Sequence, residues 1–294
     1  MNNLLFGLHV LLVLHCSGEK RQEPLINHSG EFHLTEEHND SIIIPDGRTI
    51  KTRILPPKDF VRMSVEPNSF AAFLRDLPLK PHGSKVLFYD GTVKNNGRIY
   101  CAVIDRDLTN KDLQQCADAL IRLRAEFLYG LKAYEKIHFN FTSGDTAHFI
   151  TYAEGYRPIL SENRVTWQKA AEKDYSYSNF QQYLEMVFMY AGSYSLEKEL
   201  IRVEDIQNMQ IGDIFIQGGF PGHAVMVVDM VVNRTTGEKK FMLVQSYMPA
   251  QDIQVLVNPE KSDTNPWYQL NNSLHLITPE WVFRKNDLKR FVKD

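Results

Sequence analysis

Residues 178–245 place the strongest constraint on the fold, because one capped helix is followed by three short apolar runs separated by turns. Ser178 and Gln181 stand at capping-box spacing, where a hydroxyl and a side chain three residues on satisfy first-turn N–H groups. Phe180, Tyr183, Leu184, Val187 and Ala191 continue at helical spacing, and Gly192 is a stop. The runs 211–216, 223–232 and 241–245 are of strand length, and Gly218 to Gly222 and Thr236-Gly237 turn the chain between them. Strands joined so closely pair antiparallel. The expected fold class is α+β: a central antiparallel sheet packed with helices, preceded by an N-terminal α/β extension.

A chain of 294 residues is long enough to bury a large core. Its 33 basic and 36 acidic residues leave a net charge of -3 with no long basic tract, which gives nucleic-acid binding no electrostatic support. The apolar run 4–14 has signal-peptide length and is too short to span a bilayer. It ends at Cys16, and Ser17-Gly18-Glu19-Lys20-Arg21 is polar. This layout reads as an export signal (1–16) with lipidation at Cys16, a polar tether (17–46) and a single globular domain (47–294). The protein is thus expected at the cell envelope, held to the membrane by the Cys16 anchor. Met1-Asn2-Asn3 carries no positive charge and His15 is bulky, so a plain signal sequence or a misplaced start is the alternative. His28, His33 and His38 lack ligand-like spacing and read as solvated linker residues. Cys101 and Cys116 do not amount to a disulfide framework, and Cys116, beside Ala117 and Ala119, reads as a packing thiol.

Before residue 175 the elements are shorter. Residues 69–74 suggest a short helix, 86–89 a strand entering the Asp90-Gly91 turn, and 100–104 another strand. Thr109 and Asp112 have capping-box spacing, and Leu113, Cys116, Ala117, Leu120, Leu123, Phe127 and Leu131 mark the apolar face of the longest helix. Arg122, Arg124 and Glu126 read as ion-pairing residues on it. His138 and Asn140 would share one face of a half-buried strand. Residues 151–174 have no clear pattern, whereas 274–277 suggests a strand and 279–293 a closing helix or turn.

The chemistry-bearing residues gather around the helix start and the strands. Tyr177 precedes a helix N-terminus, whose free N–H groups and dipole favour a carboxylate or an oxyanion. His223 opens one strand, and antiparallel pairing would bring Gln245 beside it to fix the imidazole tautomer. Ser176-Tyr177-Ser178-Asn179-Phe180, Gly212-Asp213 and Gly222-His223-Ala224-Val225 resemble, in that order, the nucleophile helix, Gly-Asp strand and base strand of the NlpC-type and CHAP-type papain-like peptidases. Those enzymes cleave peptide or amide bonds of peptidoglycan. The resemblance implies a papain-like half over about residues 175–294, with Tyr177 where the cysteine would stand. A phenol titrates near ~10 against ~8.5 for a thiol, so it is a poor nucleophile at neutral pH.

The leading expectation is therefore a catalytically degenerate domain. It would bind a peptide, a peptidoglycan fragment or another amide or carboxylate through Tyr177, Ser178, His223, Gln245 and Tyr247, with Tyr175 and Trp267-Tyr268 as further stacking surface. The alternative is an active amidase with His223 as base, Gln245 as orienter or oxyanion donor, and Ser178 or Cys116 as nucleophile. A third reading is a structural envelope lipoprotein whose pocket is filled by its own side chains. No cofactor is expected. Metal hydrolysis ranks lowest, since there is no His-Glu-x-x-His helix, although Asp105, Asp107, His138 and His148 are potential ligands.

Over its whole mature length the chain also resembles a bacterial family of unknown function, number 4846. The segments that carry this are Gln115-Cys116-Ala117-Asp118-Ala119, Arg122-Leu123-Arg124-Ala125-Glu126 and the run from Gln245 to Asp252. It implies kinship rather than an activity. The N-terminal reading has its own test: Cys16→Ser is expected to move the protein from the membrane to the soluble fraction and abolish labelling by an alkynyl fatty acid, and retention of both would exclude the anchor.

Overall fold

The strand His223–Asn233 is buried without interruption from His223 to Val231. A strand with no polar alternation must be covered on both faces, and the architecture follows from that need. The computed structural model describes residues 41–161, 164–261 and 264–292. Within it, seven strands run side by side in the order Tyr100–Val103, Gln254–Leu256, Lys239–Gln245, His223–Asn233, Ile214–Gln217, Leu288–Arg290 and Ile201–Arg202. Phe60–Arg62 adds to the far end of His223–Asn233, and Tyr268–Gln269 adds to Lys239–Gln245, giving nine strands. Each pairing in this sheet is antiparallel. The fold is mixed α+β.

Ala224, Met226 and Val228 face a helical layer in which Leu120 and Leu123 of the Cys116–Gly130 helix and Val187 of the Tyr177–Tyr190 helix are fully buried. Val225 and Val227 point the other way, into a second core with Phe215, Phe241, Leu243, Phe283 and Leu288. Each such side chain contributes roughly 1.5–3 kcal/mol when withdrawn from water. The alternation slips once. Met242 lies opposite Asp229 and Leu243 opposite Val227, leaving Val228 as the extra residue of a bulge. Beyond it the faces exchange, so that Met230 joins the second core and Val231 the first.

Beside this bulge Asp229 is fully buried between two arginines. Arg62 Nε, from the Phe60–Arg62 strand, donates to one carboxylate oxygen at 2.7 Å. Arg75 Nε, in the last turn of the Phe70–Arg75 helix, donates to the other at 2.7 Å. The N-terminal elements are thereby tied to the middle of the sheet.

The segments 1–16 and 17–40, with Cys16, lie outside the described residues. From Ser41 the chain belongs to one compact unit, and Ile43 bridges to Ile54 within it. No helix among the described residues is long and apolar enough to cross a membrane. Several boundaries differ from the sequence pattern. The long helix starts at Cys116 instead of Thr109, because the backbone between Lys111 and Gln115 closes tight two-residue turns and Asp118 Oδ2 caps the Gln115 N–H at 3.1 Å. The next helix is capped by Ser176, whose hydroxyl accepts from Asn179 N at 3.3 Å, and not by Ser178. Residues 86–89 make isolated bridges rather than a strand. Residues 156–169 form a hairpin of Tyr156–Ser161 with Arg164–Lys169.

Removing Asp229 leaves two guanidinium groups facing each other in a poorly solvated site. Asp229→Ala is expected to cost about 3–5 kcal/mol of unfolding free energy, measured by urea denaturation with the midpoint and slope both fitted. A loss under about 1 kcal/mol would show that the clamp is not a stability determinant.

Candidate functional site

Cys116 is the first residue of the Cys116–Gly130 helix, so its sulfur lies where first-turn N–H groups have no intrahelical acceptor. Two contacts, Ser246 to Gln114 and Ala250 to Asp112, dock this helix start onto the end of the sheet. The Ser246 hydroxyl lies 3.2 Å from the Gln114 carbonyl and 2.8 Å from that of Gln251. Asp112 Oδ1 accepts from Ala250 N at 2.7 Å. Arg122, further up the helix, donates to Gln114 Oε1 at 2.6 Å. The thiol opens onto a cavity of about 460 Å³ that His223 also lines. Gly222, which precedes His223, is obligatory: a Cβ there would fall 2.4 Å from Ser193 Oγ and 2.5 Å from the Gly219 carbonyl oxygen.

The imidazole is oriented by a relay whose polarity is fixed at its far end. Lys94 donates to Glu280 Oε2 at 2.8 Å, and Gln245 Nε2 donates to the same oxygen at 2.6 Å. A carboxylate paired with lysine can only accept, so the Gln245 amide must present its oxygen to His223, 2.9 Å from Nε2. The ring proton is therefore on Nε2, which leaves Nδ1 as the basic nitrogen. Tyr247, Trp281 and Phe283 pack around the ring, with centroids 4.8, 5.4 and 5.8 Å away. Burial lowers the His223 pKa to about 4; the Gln245 bond works against this and Lys94 adds to it.

The sulfur is not in an anionic resting state. Burial, helped by Asp118, pushes the Cys116 thiol up to about 11, although the N–H groups of Ala117 and Ala224 oppose the rise. Among the described residues no hydrogen bond joins the sulfur to the imidazole. The two groups meet across the cavity as neutral thiol and neutral base, and such contacts commonly tighten only when a substrate is bound. Asp118 is itself pushed up to about 8, chiefly by burial.

His223, Gln245 and Tyr247 thus come together as expected from the sequence, but the helix start that faces them is that of Cys116. The Tyr177–Tyr190 helix meets the cavity with its other end, through Phe188 and Ala191. Ser178 lies roughly 15 Å back along that helix, at 1.5 Å per residue. It is exposed, and Tyr177 donates its phenol proton to Glu126 Oε1 at 2.7 Å. The expected groove between the Ser178 helix and His223 is accordingly replaced by one at the Cys116 helix. Trp267 and Tyr268 are core residues, their polar atoms bonded to the Leu55 and Val257 carbonyls, and offer no stacking surface. His138 and His148 pair across a separate hairpin with ring centroids 5.3 Å apart. No cluster of three or more histidine, cysteine or carboxylate side chains able to hold a metal ion exists among the described residues.

The model of domain of unknown function 4846 matches residues 50–290. The chain belongs to that family. Neither curated proteins nor solved structures give a match. The three segments that carry the family resemblance converge here: Gln115–Ala119 supplies the thiol, Arg122 supports Gln114, and the run 245–252 supplies the imidazole's partner and the docking loop. Lys94, Glu280 and Trp281 had no signal in the sequence, since nothing ties them to His223 until the chain is folded.

With a thiol pKa of about 11, the thiolate fraction at pH 7 is on the order of 10⁻⁴. Alkylation of Cys116 by iodoacetamide, followed by peptide mass spectrometry, is expected to quicken about tenfold per pH unit from 7 to 10. A rate plateau below pH 7 would instead reveal a resting thiolate–imidazolium pair.

Proposed function

We propose that this protein is a cysteine-type amide hydrolase with a papain-like arrangement, using Cys116 as nucleophile, His223 as base and Gln245 as orienter. The observation that carries this is a thiol at a helix N-terminus sharing one cavity with a tautomer-fixed imidazole. The identity of the third residue supports it too. An amide that holds Nε2–H leaves Nδ1 to take the thiol proton, and a carboxylate at that place would not be needed for a base working from the neutral state.

Because both groups are neutral at rest, proton transfer accompanies attack. Sγ adds to the substrate carbonyl carbon while its proton passes to Nδ1. The developing oxyanion lies near the first-turn N–H groups of the Cys116 helix, where the helix dipole favours negative charge. Collapse of the tetrahedral species breaks the C–N bond, and the imidazolium returns the proton to the leaving amine. Water then attacks the thioester with His223 again as base, releasing the acid and restoring the thiol.

The rim favours a peptide-like ligand. Phe220 is 93% exposed, Met248 53% and Tyr194 46%, so apolar surface rings the cavity mouth without being needed by the core. Taken with the N-terminal segment, the proposed setting is an exported, lipid-anchored envelope protein acting on peptides or cell-wall fragments.

Cleavage of a mixed peptide library and of dye-labelled peptidoglycan, read by mass spectrometry, tests the reading. Cys116→Ala is expected to abolish product, and His223→Ala to reduce it by at least roughly a hundredfold. Gln245→Ala, which frees the tautomer, should lower kcat more than it changes KM. Turnover that survives Cys116→Ala sinks the proposal.

A further inference from the structure

Three of the chain's nine methionines line one cavity of about 250 Å³, which shares no residue with the thiol cavity. Met63 follows the Phe60–Arg62 strand, and its N–H donates to the Met230 carbonyl at 3.0 Å. This extends the register in which Arg62 stands opposite Val231, so that Met63 stands opposite Met230. Opposed residues of an antiparallel pair point to the same face, with Cβ atoms about 4.5–5.5 Å apart. Met209 comes from another part of the chain, directly after the Ile206–Asn208 turn. It and Met230 are almost wholly buried in the second core, and Met63 packs against that same cluster. Tertiary structure, and not a methionine-rich run, brings the three thioethers to one place.

A methionine in a core ordinarily fills an irregular gap, because its side chain is flexible and its sulfur polarisable. At this cavity the gap stays open beside three such side chains. Atoms facing a void forfeit their dispersion contacts, so gap-filling does not account for the arrangement. A guest held by the sulfurs does. Thioether sulfur is a soft, neutral ligand that selects Cu(I) over harder divalent ions. Neither histidine nor cysteine lines the cavity, and its charged lining residue is Glu66. Apolar walls with one carboxylate at hand offset a single positive charge better than two, since burying an uncompensated charge is costly. Arg62 and Arg75 are bound to Asp229 and do not line the cavity.

We propose that Met63, Met209 and Met230 form a binding site for a soft monovalent cation, Cu(I) or its analogue Ag(I), through their three thioether sulfurs. The ion draws the flexible side chains into the open space and ties the Phe60–Arg62 strand to the second core. The site is independent of the Cys116 chemistry and stands or falls apart from it.

The test uses the full-length chain carrying Cys16→Ser, Cys101→Ala and Cys116→Ala, so that no thiol competes, with isotope-labelled methionine methyl groups. In chloride-free buffer, a single equivalent of Ag(I) is expected to shift the methyl resonances of Met63, Met209 and Met230. Those of Met186 and Met242, buried in the first core, are expected to stay in place, and the thermal midpoint to rise because the ion binds the folded state. Each of Met63→Leu, Met209→Leu and Met230→Leu, close to methionine in volume, is expected to weaken Cu(I) binding at least about tenfold in competition with bicinchoninate. If the cysteine-free chain unfolds, the wild-type chain is titrated beyond the equivalents its thiols take up, and the same methyl shifts are read. If Met230→Leu unfolds, Met63→Leu at its half-buried position supplies the comparison. Methyl resonances that ignore Ag(I), equal shifts with Zn(II), or Cu(I) affinity indifferent to leucine in the folded variants overturn the proposal and leave an apolar cavity only.

Discussion

Burial of both faces of the His223–Asn233 strand is the constraint on which the structure depends. A strand in that position needs helices on one side and a second apolar layer on the other. It also leaves its first residue at the edge where those layers end. His223 is that residue, and the Cys116 helix packs against the same strand, so the imidazole and the helix start are placed by the demands of the core. The Asp229 clamp serves the same strand at its other end, fastening the N-terminal elements across the bulge. Core burial supplies the driving force, while the clamp and the docking contacts at Ser246 and Asp112 select one arrangement of the layers.

Electrostatic order in the site comes from outside the cavity. Lys94 and Glu280 do not line it, yet they dictate which way the Gln245 amide points and hence which imidazole nitrogen is basic. A relay that ends in an ion pair is hard to invert, because reversing the amide would set its oxygen against a carboxylate. Burial holds the imidazole and the thiol in their uncharged forms. The proposed enzyme is consequently poised rather than pre-ionised, which suits a site lined by carboxyl groups that would oppose a resting thiolate.

The departure from the sequence pattern that matters most for the site is at the start of the Cys116 helix. Leu113, Cys116, Ala117 and Leu120 share a single helical period, so the pattern runs past the true helix start with no break at Gln115. Thr109 and Asp112 also have capping spacing, but Asp112 holds the Ala250 loop and the Thr109 hydroxyl is buried without a partner. Local spacing cannot tell a carboxylate that caps its own helix from one that fastens a distant loop. The spacing therefore places Cys116 inside a helix and offers the Tyr177 segment as the candidate helix start, whereas Cys116 is the first helical residue.

By itself the sequence determined the elements that depend on neighbours in the chain: the three apolar strands, the turns between them, the pairing of His223 with Gln245 and the mixed α+β class. Those follow from periodicity and from the short reach of tight turns. Only the tertiary structure decided which helix N-terminus meets the imidazole, which thiol opens onto the cavity, and that Lys94 and Glu280 control the tautomer. The two contacts that control the tautomer join residues 35 and 186 positions apart. Their geometry is set by packing around a common core, for which no local pattern in the chain is a substitute.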